Sequence, residues 1–188
     1  HEAVVEVAVF GVDDEQFGQR LKAVGIASFQ DVPAAVAEVR RAVQELGLVG
    51  IVVSSLGLTE HLGSPTYWPI YAELEKLNRP LIVHNLAHQV PVWQRYPDSF
   101  LFQETVGGSM ETLHAFTGLM YGGIPEKFSA LRIAFFDIGT GWVPYMLERM
   151  DKDFASHGAH RALRHARLRA ARRMQCSRWD AEPEERSD

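Results

Sequence analysis

The stretch that decides the fold is Pro80-Leu81-Ile82-Val83-His84-Asn85, a short apolar run that stops at a histidine. The residues before His84 are bulky or β-branched, and the run is too short for a helix, so we predict a buried parallel strand. His84 would then lie at the carboxyl end of that strand, the edge at which βα proteins gather ligands and catalytic groups. A histidine in this place is more often a hydrogen-bonded structural residue, so the neighbouring segments have to decide its role.

In the segment before this strand, the pattern of apolar residues changes from that of a strand to that of a helix. The apolar run from Leu21 to Phe29 is compatible with a strand, and a helix is predicted after it, with Asp31 as its N-cap and Gly47 at its end. Its apolar residues recur every three or four positions and define one face: Val32, Val36, Val39, Val43 and Leu46. An earlier β-branched run, Val4 to Phe10, indicates a further strand that forms either a strand pair or a strand followed by an approach loop.

A second strand and a second helix follow before His84. Leu48 to Ser55 reads as a buried strand, and Tyr67 to Leu77 reads as a helix. In that helix Ile70, Leu74 and Leu77 are predicted to point inward, and Glu73, Glu75 and Lys76 outward. The order of strand, helix, strand, helix, strand predicts a parallel sheet with helical crossovers.

Beyond His84 the pattern is irregular before it becomes helical again. Asn85 to Gly108 is predicted to be a long aromatic loop, either a substrate lid or a satellite hydrophobic cluster or subunit contact. Ser109 is a candidate cap for a helix reaching about Tyr121. The buried strand Ile133 to Phe136 then ends at Asp137, and a last helix is expected from Tyr145 to about Phe154. His84 and Asp137 thus end two successive parallel strands at one edge of the sheet.

Composition narrows the classes of protein that fit. The chain has 188 residues, fewer than the roughly 250 of a typical complete (β/α)8 barrel. Its single cysteine, Cys176, excludes an internal disulfide and a cysteine-based zinc cluster. Residues 158–188 hold 8 of the 19 basic side chains and only 5 of the 24 acidic ones, so the rest of the chain is acidic and argues against nucleic acid as a partner. We therefore divide the chain into a domain at residues 1–157 and an Arg-rich, extended or disordered tail at 158–188.

The absence of a long apolar stretch bears on location. No run approaches the roughly 20 apolar residues of a membrane span, and no charged-then-apolar leader precedes a cleavage site. We expect no membrane partner and a cytoplasmic protein.

Several motifs resemble one known family. They are Leu62-Gly-Ser-Pro-Thr-Tyr-Trp-Pro69, Arg79 to His84, Gly123-Ile-Pro-Glu-Lys-Phe128, Leu131 to Pro144 and Glu148-Arg-Met-Asp151. In this order they resemble the amidohydrolase-related branch that contains aminocarboxymuconate-semialdehyde decarboxylase. The resemblance covers roughly Arg20 to Asp153 and implies an α/β fold, a partial (β/α)8 TIM barrel supplying about the third to sixth strands, with Met174 to Ser177 similar to the next strand.

The resemblance also implies a metal and a site. It implies a divalent cation, zinc or manganese, with His84 matching the ligand that ends the fifth strand of the family's barrel. Asp137 stands where many relatives have a histidine, and it is either an acid/base residue or a cap of the glycine-rich turn. His88, Trp93 and Trp142 are expected to line the substrate pocket. The chain has no His-x-His pair and no closing strand with the last metal ligand.

Three hypotheses of function follow. The leading one is a metal-dependent enzyme that decarboxylates or hydrolyses a small carboxylic acid, with missing ligands supplied by another chain or by sequence outside this one. The alternative is a catalytically inactive barrel fragment that acts through self-association of its open sheet edges, as a homo-oligomer. The third is a doubly wound binding domain in which Gly107-Gly108-Ser109 holds an anion at a helix N-terminus.

Overall fold

A computed structural model describes residues 22–84 and 100–157, together with the two short strands Val7–Ala8 and Gln175–Cys176. For those two strands and for residues 102–104 and 157 only the backbone is described. The strands are β1 (Val7–Ala8), β2 (Val24–Ile26), β3 (Ile51–Val53), β4 (Leu81–Val83), β5 (Ile133–Phe135) and β6 (Gln175–Cys176). The helices are α1 (Val32–Gln44), α2 (Trp68–Lys76), α3 (Phe100–Phe102), α4 (Gly108–Tyr121), α5 (Ile124–Lys127) and α6 (Trp142–His157).

The strands form one sheet in the order β1-β2-β3-β4-β5-β6. From β2 to β6 all neighbours are parallel, with Val53 beside Val83 and Val83 beside Phe135. β1 pairs antiparallel to β2, so the segment around Val7 forms a strand pair, one of the two predicted arrangements. Within the described sheet the order never reverses, whereas a doubly wound sheet has a switch point at which it does. The third hypothesis is therefore wrong about the fold.

Five helices, α1, α2, α4, α5 and α6, pack on a single face of the sheet. The core consists of one set of alternate strand residues and the inner faces of α1, α2, α4, α5 and α6. The strand residues in it are Ile51, Val53, Leu81, Val83, Ile133 and Phe135. Because successive side chains along a strand point to opposite faces, the residues between them lie on the other face. We call the first the helix-covered face and the second the open face.

The open face is apolar but incompletely buried. Val24, Ile26, Val52 and Ala134 are half-buried, and only Ile82 is buried. Parallel sheets are normally covered on both faces, as they are in a closed barrel. The described residues therefore form a sheet that helices cover on one face and that is only partly covered on the other, as expected for part of a barrel wall.

α1 begins where its sequence predicts and ends two residues before the predicted Leu46, and its inner face overlaps the predicted face without matching it. The Asp31 carboxylate accepts a hydrogen bond from the Ala34 N–H at 3.0 Å, and Gly47 follows the helix with a φ of +70°. The buried residues are Ala35, Glu38, Val39 and Ala42, whereas Leu46, predicted on the inner face, is 44% exposed. Small alanines let α1 approach the sheet, so the apolar stripe predicted from the bulky residues is offset from the observed one.

Glu73 of α2 is a second correction. It was expected to point outward, but it is 7% exposed and takes two hydrogen bonds of 2.9 Å from Arg40 of α1. This bidentate contact holds the pKa of Glu73 below its ordinary value, and burial opposes it. The partner is 33 residues away in the chain. Such a contact leaves no local signal in the sequence.

The segment before α4 is more helical than predicted. α3 and a π-helical turn at Gln103–Gly107 lead directly into α4, so the predicted loop does not extend to Gly108, and Ser109 does not cap the helix. Because helical turns precede Gly108, this point is not a free helix N-terminus of the kind that binds an anion. Residues 85–99, the rest of the predicted loop, lie outside the described residues.

Two other predicted boundaries changed. α6 begins at Trp142, three residues before the predicted Tyr145, and reaches His157. Gln175–Cys176 pairs with β5 as the resemblance implied for Met174 to Ser177, so this part of residues 158–188 adds a strand to the sheet. The division of the chain at residue 157 stays a prediction.

A close backbone contact fixes the loop between β3 and α2. A Cβ placed on Gly63 would lie 1.9 Å from the carbonyl oxygen of Gly118, and a Cβ on Gly122 would lie 2.4 Å from that of Gly63. Only glycine allows this approach. The loop is also anchored by Tyr71, whose hydroxyl donates to the Leu62 carbonyl at 2.5 Å and whose pKa is raised by burial.

No helix in the described ranges is both long and apolar enough to cross a membrane.

Candidate active site at the carboxyl edge of the sheet

One row of residues lies just beyond the carboxyl ends of β3, β4 and β5. Val53, Val83 and Phe135 are register partners on the helix-covered face. The next residues are Ser54, His84 and Phe136. These three residues lie side by side across the three strands, and strand alternation places their side chains on the open face. The ladder extends to this row, because the His84 N–H donates to the Val53 carbonyl at 3.1 Å and the Phe136 N–H to the Val83 carbonyl at 3.0 Å.

The structure brings His84 and Asp137 together, as the sequence predicts for two successive parallel strands. His84 Nε2 lies 3.7 Å from Asp137 Oδ2. This distance is longer than a hydrogen bond but short enough for both atoms to face the same small space. The His84 side chain is 29% exposed and that of Asp137 is 87% exposed, so the strand holds the imidazole while the carboxylate is open to solvent.

The backbone of Asp137 accounts for this placement. Its φ of +60° is left-handed, a conformation that Asp and Asn tolerate better than other residues with a Cβ. Gly139 follows with a φ of +63°, and its carbonyl accepts the indole N–H of Trp142 at 3.0 Å. The turn reverses the chain between β5 and α6 and leaves the Asp137 carboxylate at the sheet edge. Both predicted roles of Asp137, as a cap of the turn and as an acid/base residue, are therefore compatible with its position.

Trp142 is not placed on the open face with His84. Its ring is in edge contact with Phe116 of α4, at a centroid distance of 5.1 Å, and with Phe135 at 6.0 Å. Phe135 belongs to the helix-covered core, and Trp142 packs against that core half-buried. Its predicted role in binding substrate stays a prediction. His88 and Trp93, the other two predicted pocket residues, lie outside the described residues.

Phe136 is a residue of this edge that the sequence analysis missed. It was predicted to belong to a buried strand, yet it is 39% exposed. Alternation along the strand contained the signal, since a run of four apolar residues cannot place all four side chains on the helix-covered face. What periodicity did not reveal was that the opposite face is open.

The donor atoms at this edge fit a divalent cation, but they are too few. Imidazole nitrogen and carboxylate oxygen are both ligands of zinc, and manganese also accepts carboxylate. A catalytic zinc is usually held by three protein ligands. Within residues 22–84 and 100–157 no group of three or more His, Cys, Asp or Glu side chains is arranged to hold a metal. His84 and Asp137 would thus form part of a metal site whose other ligands lie elsewhere.

Comparison with known proteins identifies the family. The sequence model of the amidohydrolase family matches residues 11–186, nearly the whole chain. The chain is 29% identical over 136 residues to 2-amino-3-carboxymuconate-6-semialdehyde decarboxylase of Dictyostelium discoideum, covering 72% of this chain and 37% of that protein. It is 33% identical over 144 residues to gamma-resorcylate decarboxylase of Rhodococcus jostii (strain RHA1), covering 70% and 43%. The chain thus spans less than half the length of these relatives.

Solved structures give the same result. The fold is similar to the crystal structure of 2,6-dihydroxybenzoate decarboxylase from Rhizobium, with a TM-score of 0.61 and 28% identity, covering 76% of this chain and 47% of that one. It is also similar to dihydroxybenzoic acid decarboxylase from Polaromonas sp. JS666, solved with bound manganese and the inhibitor 2-nitroresorcinol. There the TM-score is 0.56 and the identity 27%, covering 68% and 40%.

These matches confirm the predicted partial barrel and the predicted resemblance. The parallel sheet with its helices on one face corresponds to part of a (β/α)8 barrel wall. The family match, the curated relatives and the solved structures agree. The chain belongs to the amidohydrolase family.

Proposed function

We propose that this chain carries part of the active site of a metal-dependent decarboxylase that acts on a small aromatic carboxylic acid. The observation that supports it best is the meeting of His84 Nε2 and Asp137 Oδ2, 3.7 Å apart, at the carboxyl edge of two adjacent parallel strands. Active sites of βα barrels are built at this edge. The named activities of the matching relatives favour decarboxylation over hydrolysis.

In this proposal His84 is the metal ligand. Its main chain is held by the bond to Val53, which fixes the imidazole at the end of β4. The cation, zinc or manganese, would act as a Lewis acid toward the substrate carboxylate or a neighbouring oxygen. The remaining ligands would come from residues outside the described ranges or from another chain.

Asp137 is proposed to carry the proton. Decarboxylation of an aromatic acid replaces a carbon–carboxylate bond by a carbon–hydrogen bond, so one proton must reach the ring carbon as carbon dioxide leaves. The pair of electrons from the broken bond returns to the ring. Asp137 Oδ2 faces the same space as His84 and is open to solvent. After it donates a proton, it can therefore take up another one from water.

The first experiment is metal analysis. Purified, unchelated protein is compared with His84→Ala and with a matched control, His114→Ala, which removes an exposed histidine of α4. We expect close to one zinc or manganese per chain in the wild type and in the control, and loss of the metal in His84→Ala. A wild type that contains no metal and takes up none from added zinc or manganese would contradict the proposal.

The second experiment measures the reaction. Protein loaded with manganese or zinc is incubated with 2,6-dihydroxybenzoate, and resorcinol and carbon dioxide are quantified. Asp137→Asn removes the ionisable group with little change of shape, and it tests the proton-carrying role. We expect at least a hundredfold loss of rate, since acid/base catalysis contributes about 10²- to 10⁴-fold. A variant as active as the wild type would leave Asp137 as a turn residue only.

A specific observation favours a second candidate function, self-association. Half-buried apolar side chains cover the open face, and a second copy of the chain could bury them. Val52→Lys would place a charge in the middle of that face, and Ala37→Lys on the exposed side of α1 is the control. Sedimentation velocity should show an oligomer for the wild type and the control and a monomer for Val52→Lys. A wild type that is monomeric at all concentrations would contradict self-association.

A cytoplasmic location stays a prediction.

A further inference from the structure

Among the described residues, Phe136 belongs neither to the core nor to the half-buried side chains that pack against it. Its neighbour Phe135 makes edge contacts with Phe116 and Trp142 in the core, whereas Phe136 points to the opposite face and is 39% exposed. Exposed apolar side chains that lie beside candidate catalytic groups are candidates for contact with a ligand. The ring of Phe136 is such a candidate.

The register makes Phe136 a direct neighbour of the proposed metal ligand. The bond from the Phe136 N–H to the Val83 carbonyl places Phe136 and His84 side by side on the open face. One residue further on, Asp137 reaches back toward His84. A molecule held at His84 would therefore meet the carboxylate of Asp137 and the ring of Phe136 from the same strand end.

The surface below this row is also apolar. Two residues before Phe136 on the open face lies Ala134, which is half-buried, and its register partner Ile82 is 4% exposed. Ile82 therefore supports the apolar surface from below, and the exposed part of that surface comes from Phe136 and Ala134. A flat apolar group can thus meet the ring of Phe136 and the methyl group of Ala134.

We propose that Phe136 is a specificity-determining residue, against which the ring of an aromatic carboxylate packs while its carboxylate is held at the His84 side. This inference rests on the proposed function. It adds that the site selects planar aromatic rings over puckered saturated rings of the same size, because offset or edge contacts between two aromatic rings contribute beyond the area that they bury.

The test measures binding, so it does not depend on turnover. Manganese-loaded protein is titrated by calorimetry with 2,6-dihydroxybenzoate and with cyclohexanecarboxylate, a saturated ring of the same size with the same charge. The variants are Phe136→Ala, Phe136→Leu and Phe136→Tyr. Leu46→Ala is the control, because Leu46 is a comparably exposed apolar residue that lies beyond the end of α1, outside the row of His84. Thermal unfolding confirms that each variant is folded.

We expect Phe136→Ala to weaken binding of 2,6-dihydroxybenzoate about tenfold. Phe136→Leu should weaken it less, and Phe136→Tyr should retain it within about twofold, because tyrosine keeps the ring. Binding of cyclohexanecarboxylate should change much less, so the ratio of the two dissociation constants falls in Phe136→Ala. A residue with only a structural role would lower both affinities together and leave this ratio unchanged.

The outcomes separate the two proposals. If the wild type binds 2,6-dihydroxybenzoate and Phe136→Ala binds it equally well, or if both ligands are weakened equally, the inference is overturned and the proposed function stands. If the manganese-loaded wild type binds neither acid, the proposed function is overturned and the inference with it. Both proposals are supported if Phe136→Ala loses affinity for 2,6-dihydroxybenzoate selectively and Phe136→Tyr retains it.

Discussion

The two faces of the parallel sheet differ in what their side chains contact. On the helix-covered face Leu81, Val83 and Phe135 are almost fully buried beneath helices. On the open face Val52 and Ala134 are only half-buried, and the row at the edge carries an imidazole and an exposed ring. Removal of apolar area from water drives folding, so stability should reside mainly on the first face.

This difference also teaches why the candidate site lies where it does. A rigid, helix-backed sheet can present side chains at its edge without needing them for its own packing. Substitutions on the helix-covered side should therefore change the free energy of unfolding, and substitutions at the edge of the open face should change binding.

The largest effect is expected from Gly63→Ala. The added methyl group would meet the carbonyl of Gly118 in α4 at 1.9 Å, and backbone at both sides of the contact has to move. We expect a loss of about 3 kcal/mol or more in the free energy of unfolding, measured by urea titration. Gly141→Ala is the control, since a Cβ there has nothing within 4 Å, and it should be nearly neutral. Equal stabilities of the two variants would show that the loop and α4 are not in contact.

The next test compares the two faces directly. Leu74 of α2 is fully buried on the helix-covered face, and Leu74→Ala should cost about 2 to 5 kcal/mol. Val52 on the open face is half-buried, and Val52→Ala should cost about 1 kcal/mol. Chemical denaturation of both variants gives the difference. A loss for Val52→Ala as large as that for Leu74→Ala would mean that the open face is covered in solution, as the self-association proposal requires.

A smaller effect, with a defined pH dependence, is expected from Glu73→Gln. Arg40 lowers the pKa of Glu73 in the folded chain, so its contribution to stability is complete above the ordinary carboxyl value of 4.5 and is lost as the pH falls through the folded pKa. The variant should be less stable than the wild type at pH 7. The gap between them should close as the pH falls below 4.5 and through the lower pKa of Glu73 in the folded chain.

Thermal unfolding across that range measures the effect, and Glu148→Gln on the exposed side of α6 is the control. A gap that widened toward acid pH would have the wrong sign for a carboxyl whose pKa is lowered by folding. It would contradict the Arg40–Glu73 contact.

The smallest effect on stability is expected at Asp137. Its left-handed backbone is strained for alanine, so Asp137→Ala should lose about 1 kcal/mol or less, whereas Asp137→Gly relieves the strain. Asp137→Asn should be nearly as stable as the wild type, since asparagine tolerates the same conformation. Urea titration of the three variants measures this. A large loss in Asp137→Asn would show that the charge of the carboxylate stabilises the turn.

Much of the fold could be predicted because its signals are local. The N-cap of α1 at Asp31, the left-handed turn at Gly47 after this helix and the run that forms β4 each depend on a few adjacent residues. The same holds for the meeting of His84 and Asp137, because strands of a parallel sheet end at a common edge. The family resemblance came from motifs of the same local kind.

The errors have a common cause. Glu73 was expected in solvent because its partner, Arg40, lies on another helix. Leu46 was expected inside because bulky residues suggest a stripe, whereas the alanines of α1 form the contact. The helical turns before α4 extend a helix whose apparent start, Ser109, is typical of a cap. Each error came from a local pattern that the folded chain did not follow, and for Glu73 a contact between distant segments overrode the local preference.

The sequence by itself determined β1 to β5, helices α1, α2, α4 and α6, their order, the parallel sheet and the two residues that end β4 and β5, because these depend on periodicity and on local turn chemistry. The tertiary structure alone decided that α1, α2, α4, α5 and α6 lie on one face, that Trp142 packs against the core and that Phe136 is exposed beside His84. The physical reason is that a strand has two faces, and which of them is buried depends on contacts between segments far apart in the chain.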